Sequence, residues 1–378
     1  MKCFGLDASS GAYVEIEYDS VITGIDTLIE APRNPLYIAP AWIDLQVNGY
    51  AAVDYNSPVT PIEEIARSVD VLNSTGTGRF YPTVITGPAE DMVGSLRNLA
   101  KAKESLPSIE GFHVEGPHIC PDEGPRGAHP RECVRKPDIN EYRRWQDATD
   151  GAIRLVTLSP EWPEAPRYIE TLVSEGVVVS IGHTKASAEE IKAAVSAGAT
   201  MSTHIGNGAH GELRRHPNYI WDQLAEDRLV AGLIVDGIHL GEAFVKVALR
   251  AKGVHRAVLV TDASMPAMSK PGIYRLGGQD LELTEDGRVV LAGQTRLAGS
   301  ALRMDNAITN VMRMTGISLI EAISMATRNP ARVGRIAGRQ RGLAAGERAD
   351  FVLFRYEPDT KRINVVQTIV GGRQVYSD

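Results

Sequence analysis

Glu115, His183, His204 and Asp262 are the side chains of this 378-residue sequence whose types and placement could do chemistry together. Each follows a short apolar, β-prone run. Phe112-His113-Val114-Glu115 is stopped by Gly116-Pro117, Val177 to Ile181 runs into Gly182-His183-Thr184, Thr200 to Thr203 runs into His204, and Arg256 to Thr261 runs into Asp262. One carboxylate and two imidazoles, with a coordination position left open, form the donor set of a catalytic zinc site. A divalent metal there would lower the pKa of a bound water to about 7. Asp262, not needed as a ligand, could take the proton of that water and pass it to a leaving group. Each residue alone has a plainer explanation. Glu115 could be a salt-bridged strand end, a single histidine a hydrogen-bonded structural residue, and Asp262 a cap on the segment behind it. Their joint placement at successive strand ends is what carries the chemical reading.

The elements that must position them alternate. Trp42 to Val47 reads as a buried strand, Pro61 to Asn73 as a helix with Ile62, Ile65, Val69 and Leu72 at helical spacing, and Gly78 to Thr83 as a strand. A helix follows from Asp91 to Lys103, then the strand Ile109 to Glu115. Further strands are predicted at Ile153 to Leu158, Val177 to Ile181, Thr200 to Thr203, Val230 to Val235 and Arg256 to Thr261. The helices among them are Arg167 to Gly176, Ser187 to Ala197 and Glu242 to Lys252. This alternation predicts a parallel sheet, and eight units favour a (β/α)8 TIM-type barrel, whose functional residues sit at the C-terminal ends of the strands. No Gly-x-Gly-x-x-Gly follows the first strand to support an open doubly wound sheet. Residues 272 to 296 interrupt the pattern with a hairpin-like insertion; helices are predicted again at Met304 to Met314 and Leu319 to Ala326. Short strands before residue 41 and after 340 are too few to fold separately. They predict a small β-sandwich domain from both termini (1–40 and 340–378) beside a barrel over 41–339.

Composition is that of a globular chain, 43% hydrophobic and 23% charged, and the net charge of −7 argues against nucleic acid or an anionic membrane surface as partner. Three cysteines without CxxC spacing read as reduced thiols, and the acidic N-terminal stretch is no signal peptide, so a cytoplasmic location is expected. No run is long and apolar enough to span a bilayer.

These residues resemble the amidohydrolase superfamily, and within it the N-acetylglucosamine-6-phosphate deacetylase family. The resemblance runs from about Ala41 to the C-terminus. Its motifs are Ile43 to Gly49, His113-Val114-Glu115-Gly116-Pro117, Gly127-Ala128-His129, Gly182-His183-Thr184, Thr203-His204 with Asn207, Asp236-Gly237-Ile238-His239, Val260 to Ala263, Leu297-Ala298-Gly299-Ser300, and Asn329-Pro330-Ala331. It implies that Glu115, His183 and His204 hold one divalent transition metal, zinc being expected and iron(II) also compatible. It implies Asp262 as general acid/base and His129 and His239 as contacts to the sugar or the scissile amide. Ala128, Asn207 and Gly208 would lie beside the substrate, and Leu297, Ala298, Gly299 and Ser300 would line the pocket. Arg215 would bind phosphate across a homodimer interface. Gln46 and Asn48 stand where many superfamily members carry a His-x-His pair for a second metal, and both are poor zinc ligands, which favours one metal. The run Gly206-Asn207-Gly208-Ala209-His210 and the basic Arg214-Arg215-His216 depart from the family pattern. The implied reaction is hydrolysis of the acetamido group of an N-acetyl amino-sugar 6-phosphate. The rivals are an amidohydrolase acting on another N-acetyl sugar or a cyclic amide, and a non-catalytic, assembly-forming relative.

Overall fold

A computed structural model describes residues 1–276 and 278–378; Gly277, inside the expected insertion, lies outside the described residues. Eight parallel strands pair in sequence order: Trp42–Val47, Thr77–Ile85, Phe112–Glu115, Ile153–Leu158, Val178–Ile181, Met201–Ser202, Val230–Leu233 and Ala257–Leu259. The strand carrying Glu115 begins later than the sequence suggests, at Phe112, while Ile109 makes only an isolated bridge to Phe80. The barrel closes through a seam between the first strand and the segment after the eighth. There Asp262 N donates to Gln46 O at 3.0 Å and Asn48 N to Ala263 O at 2.7 Å, with Val47 bridging Ala263. Thr261 Oγ1 adds a bond to the buried carboxylate of Asp44 at 2.5 Å. Burial raises the pKa of Asp44 to about 7 against the opposing bonds from Thr261 and Gln46.

The helices cover this barrel because each offers one apolar face. Ile62–Asn73 buries Ile65, Val69 and Leu72, and Glu242–Lys252 buries Val245, Ala248 and Leu249. Ser187 starts Ala188–Ser196, and Ser318 starts Leu319–Ala326; both form capping boxes, with Glu190 and Glu321 respectively. Ile139–Ala148, Tyr219–Ala225 and Arg328–Val333 are additional helices. The first is mostly polar, and its narrow apolar stripe of Ile139, Tyr142, Trp145 and Ala148 packs on the barrel core. The insertion forms a three-stranded antiparallel sheet, Gly272–Leu276, Gln279–Leu283 and Val289–Leu291.

Strands from both ends of the chain join in one seven-stranded ladder, with Tyr37–Pro40 paired to Phe351–Glu357. At one end the ladder folds back on itself: Val21, just before the edge strand Ile22–Thr27, bridges Arg348, just before Phe351–Glu357, and a Cβ on Gly372 would lie 1.7 Å from the Asp19 carbonyl oxygen. Its own small core holds Ile16, Ile38, Phe351 and Leu353. At the end of the barrel away from the mouth, the carboxylate of Asp350 ties the ladder to the barrel. Asp350 accepts from Arg79 Nε at 2.6 Å and from the Gly371 amide at 2.6 Å, and is ion-paired with Arg348 Nε at 3.0 Å and Arg339 Nη2 at 3.1 Å. Burial alone would raise its pKa, but the three guanidinium groups overcome that and hold it below the usual carboxylate range. Asp350→Asn leaves buried arginines without their counter-charge, so it should lower unfolding free energy by about 3–5 kcal/mol. A carboxylate with a depressed folded pKa contributes stability above its unfolded pKa and loses it as pH falls through the folded value. Urea unfolding at neutral pH and again below pH ~4 should therefore show the gap between wild type and variant closing on acidification.

Candidate metal centre and active-site cavity

The side chains of Glu115, His183 and His204 meet at the C-terminal mouth of the barrel, and all are buried. Glu115 Oε1 lies 3.2 Å from His183 Nε2 and 3.0 Å from His204 Nε2, and the two imidazole nitrogens are 3.1 Å apart. Two backbone devices bring them there. Glu115 is the last residue of its strand and faces inward with His113, two residues earlier. His183, His204 and Asp262 each take left-handed backbone, with φ of 51°, 27° and 51°, which turns the chain sharply just past the strand. Such conformations cost of order 1–3 kcal/mol apiece in non-glycine residues and collect at functional sites.

The donor set fits a metal ion. His183 Nδ1 donates to the Pro125 carbonyl at 2.8 Å, so a neutral ring presents the Nε2 lone pair to the cluster. Three electron-rich atoms so close together need a cation or a shared proton among them. In the protein alone that need appears as pKa shifts. Burial would raise Glu115, but hydrogen bonds and charge from His183 and His204 hold it well below the usual carboxylate range. Burial would lower His204, but Glu115 raises it.

Asp262 stands beside this cluster without belonging to it. Its Oδ1 accepts from Asn48 Nδ2 at 2.6 Å and from Gln46 Nε2 at 2.9 Å, and the same Gln46 nitrogen reaches Glu115 Oε1 at 2.9 Å. Burial, then the charge of Glu115, raises its pKa to about 6. Beneath the mouth lies a layer of buried hydrogen bonds from four consecutive strands. His113 Nε2 meets Thr157 Oγ1 at 2.8 Å, Thr157 meets Thr203 Oγ1 at 2.6 Å, and Thr203 meets Ser180 Oγ at 2.6 Å. Burial lowers the pKa of His113 to about 4, so it serves this floor as a neutral ring. His118 is packed between the rings of Trp145 and Tyr168, with Nδ1 near the Arg135 carbonyl, and is a core residue.

A cavity opens above the cluster. Ala128, His129, Asn207, Gly208, His239, Leu297, Ala298 and Gly299 line it with the four residues above. His129 packs edge-on against His183, ring centroids 4.4 Å apart, and burial followed by the charge of His183 lowers its pKa to about 3. Two predicted residues lie elsewhere. Ser300 is behind the wall, its hydroxyl donating to the Thr261 carbonyl at 2.5 Å, and Arg215 is on an exposed loop outside the cavity of its own chain. His210 contacts the Tyr219 hydroxyl through Nδ1 at 3.0 Å. The insertion supplies residues the sequence did not single out. Leu276, Leu281 and Leu291 face the cavity, as does Gln279, whose Nε2 donates to the Ala128 carbonyl at 2.9 Å. Nothing in their local pattern marks them, since only the packing of the insertion over the mouth brings them there.

A parallel eightfold barrel carrying a Glu-His-His cluster and a separate aspartate at its mouth defines a metal-dependent hydrolase of the amidohydrolase type, and residues 37–375 match the Amidohydrolase family pattern. N-acetylglucosamine-6-phosphate deacetylase of Bacillus subtilis (strain 168) is 31% identical over 335 residues, covering 86% of this chain and 82% of that protein. N-acetylgalactosamine-6-phosphate deacetylase of Shewanella sp. (strain ANA-3) is 33% identical over 352 residues, covering 88% and 85%. The crystal structure of N-acetyl-D-glucosamine-6-phosphate deacetylase from Mycobacterium smegmatis superposes with a TM-score of 0.87 at 28% identity, covering 96% of each chain. The chain belongs to the amidohydrolase family and, within it, to the N-acetylglucosamine-6-phosphate deacetylase family. Among the described residues, no helix is long and apolar enough to cross a membrane.

Gly208 and Gly127 both crowd His183. A Cβ on Gly208, which has φ +55°, would lie 2.8 Å from His183 Nδ1, the atom bonded to Pro125. Gly208→Ala should therefore shift that ring and weaken metal retention by about 10-fold or more. Metal content after dialysis against graded chelator checks this on folded protein.

Proposed function

We propose that this protein hydrolyses the acetamido group of N-acetylglucosamine 6-phosphate, releasing acetate and glucosamine 6-phosphate. The observation that carries the reading is the Glu115–His183–His204 cluster with Asp262 held beside it through Gln46 and Asn48. A divalent metal on those three ligands, with zinc the first expectation and iron(II) also suited to the donor set, would supply Lewis acidity toward the amide carbonyl and an acidified water.

Within the protein, Asp262 is the group that moves protons. Gln46 and Asn48 occupy Oδ1, which leaves Oδ2 as the oxygen available to take the proton of the attacking water. Asp262 then returns that proton to the departing amine nitrogen, so the carboxylate ends as it began and the amine leaves neutral. His129, a neutral ring facing the cavity, is placed to donate a hydrogen bond to the developing oxyanion. Asn207, Gly208 and His239 border the sugar, and Leu297 and Ala298 belong to an apolar wall that limits water around it. Ser300 supports that wall from behind.

The cavity wall carries no Lys or Arg among the described residues. A phosphate therefore calls for a cation from elsewhere. Arg215, exposed on the loop 211–217, suits that role from the second subunit of a homodimer, where a planar guanidinium can bind phosphate bidentately. The similarity to an N-acetylgalactosamine-6-phosphate deacetylase makes the epimeric sugar phosphate the second candidate.

Acetate release from both epimers, each with and without the 6-phosphate, on protein of measured metal content, tests this reading. We expect one metal per chain and a preference for the phosphorylated glucosamine derivative; equal rates with and without phosphate would remove the phosphate from the assignment. Asp262→Asn should lose about 10²–10⁴-fold in kcat while keeping fold and metal. Arg215→Ala should raise KM for the phosphorylated sugar only, and sedimentation of the same samples reports whether the active species is a dimer.

A further inference from the structure

After the seventh barrel strand, Asp236, Gly237, Ile238 and His239 form a tight turn, with Gly237 at φ +79°. The Asp236 carboxylate is bonded at both oxygens. Oδ1 accepts from the Ile238 amide at 2.8 Å and the His239 amide at 2.7 Å, and Oδ2 accepts from His239 Nδ1 at 2.6 Å. Both side chains are nearly buried, at 9% and 6% exposure. His239 borders the active-site cavity, whereas Asp236 does not. Asp236 instead faces a separate groove of about 460 Å³ on the other side of the wall, beside Asn306, Asn310 and Arg313. The turn is braced from that side by Asn310, whose Nδ2 donates to the Val235 carbonyl at 2.9 Å.

A turn of this kind needs only one side-chain oxygen on the following amides, and Asn or Ser would provide it. A second oxygen on an imidazole is what a carboxylate adds. We propose that Asp236 is a positioning residue that keeps a proton on Nδ1 of His239 and fixes the ring with Nε2 toward the cavity, so that this histidine meets the substrate in one orientation. The two ring nitrogens of a histidine are distinct, and the bond made by one sets what the other presents. The identity of the substrate rests on the function proposed above; the Asp236–His239 arrangement does not.

Asp236→Asn separates the turn from the ring. The two amide bonds require an acceptor, so Asn Oδ1 stays with them and Nδ2 is left facing Nδ1. Donor would then face donor, and the ring must give up its Nδ1 proton or swing away. The same isosteric change at the aspartate of a serine-protease triad also produces the wrong tautomer.

The test is a nitrogen-15 spectrum of histidine-labelled, metal-loaded protein, with the His239 signals identified by their loss in His239→Gln, beside steady-state kinetics of the same variants. We expect a protonated Nδ1 in the wild type and its loss in Asp236→Asn. kcat/KM should fall about 10- to 100-fold with metal content and melting temperature unchanged. In a His239→Gln background, Asp236→Asn should add less than about 2-fold. A wild-type Nδ1 without a proton would overturn the proposal, as would losses that multiply in the double variant. If Asp236→Asn fails to fold, Asp236→Ser, which keeps one turn acceptor and removes the second oxygen, takes its place, and the wild-type spectrum decides the Nδ1 assignment unaided. The spectrum needs no substrate, so an error in the proposed substrate leaves it intact. An error about Asp236 likewise leaves wild-type acetate release intact.

Discussion

The seam that closes the barrel is the constraint on which the site depends. A barrel of eight strands has no edge only if the first and last meet, and here they meet through Gln46–Asp262 and Asn48–Ala263 backbone bonds. The same residues then turn their side chains upward. Gln46 and Asn48 point their amides at the Asp262 carboxylate, and Gln46 continues to Glu115. Closure of the fold and placement of the proton-transfer group are thus one event. Were the seam to slip by one residue, every side chain on that strand would change face, and both amides would leave the mouth.

Above the seam, the mouth is organised around an electrostatic demand. Three buried electron-rich atoms within hydrogen-bond distance of one another are tolerable only with positive charge among them. The surrounding protein meets part of that demand and leaves the rest to a metal. Pro125 fixes the His183 tautomer, the hydroxyl layer of Thr157, Ser180 and Thr203 holds the strands in register beneath, and the left-handed backbone at His183, His204 and Asp262 concentrates strain where the side chains must converge.

Much of this was legible in the sequence because it is carried by local features. Strand-terminating Gly116-Pro117 and the runs ending in His183, His204 and Asp262 mark strand ends, and the barrel rule places strand ends together. What stayed hidden is long-range. Gln46 and Asn48 read only as poor metal ligands, since their partner Asp262 lies more than two hundred residues away. Leu276, Gln279 and Leu281 read as ordinary hairpin residues, and only the packing of the insertion over the mouth brings them to the cavity. The resemblance implied Ser300 in the lining beside Leu297 to Gly299, but its hydroxyl is drawn to the Thr261 carbonyl behind the wall, a partner far away in the sequence. The sixth strand, Met201–Ser202, is too short for periodicity to fix its bounds, and the expected run from Thr200 to Thr203 overshoots it by a residue at each end.

The terminal ladder has a consequence for biosynthesis. Tyr37–Pro40 is made more than three hundred residues before its partner Phe351–Glu357. During synthesis the edge of this strand that faces Phe351–Glu357 therefore waits unpaired while the whole barrel is made, and contacts of such separation form slowly. The small core around Ile38 and Phe351, and the Asp350 charge cluster that fastens it to the barrel, can assemble only then. The ladder thus acts as a clasp that shuts only after the barrel has been made, and a product truncated within the barrel is left with an open strand edge that favours aggregation.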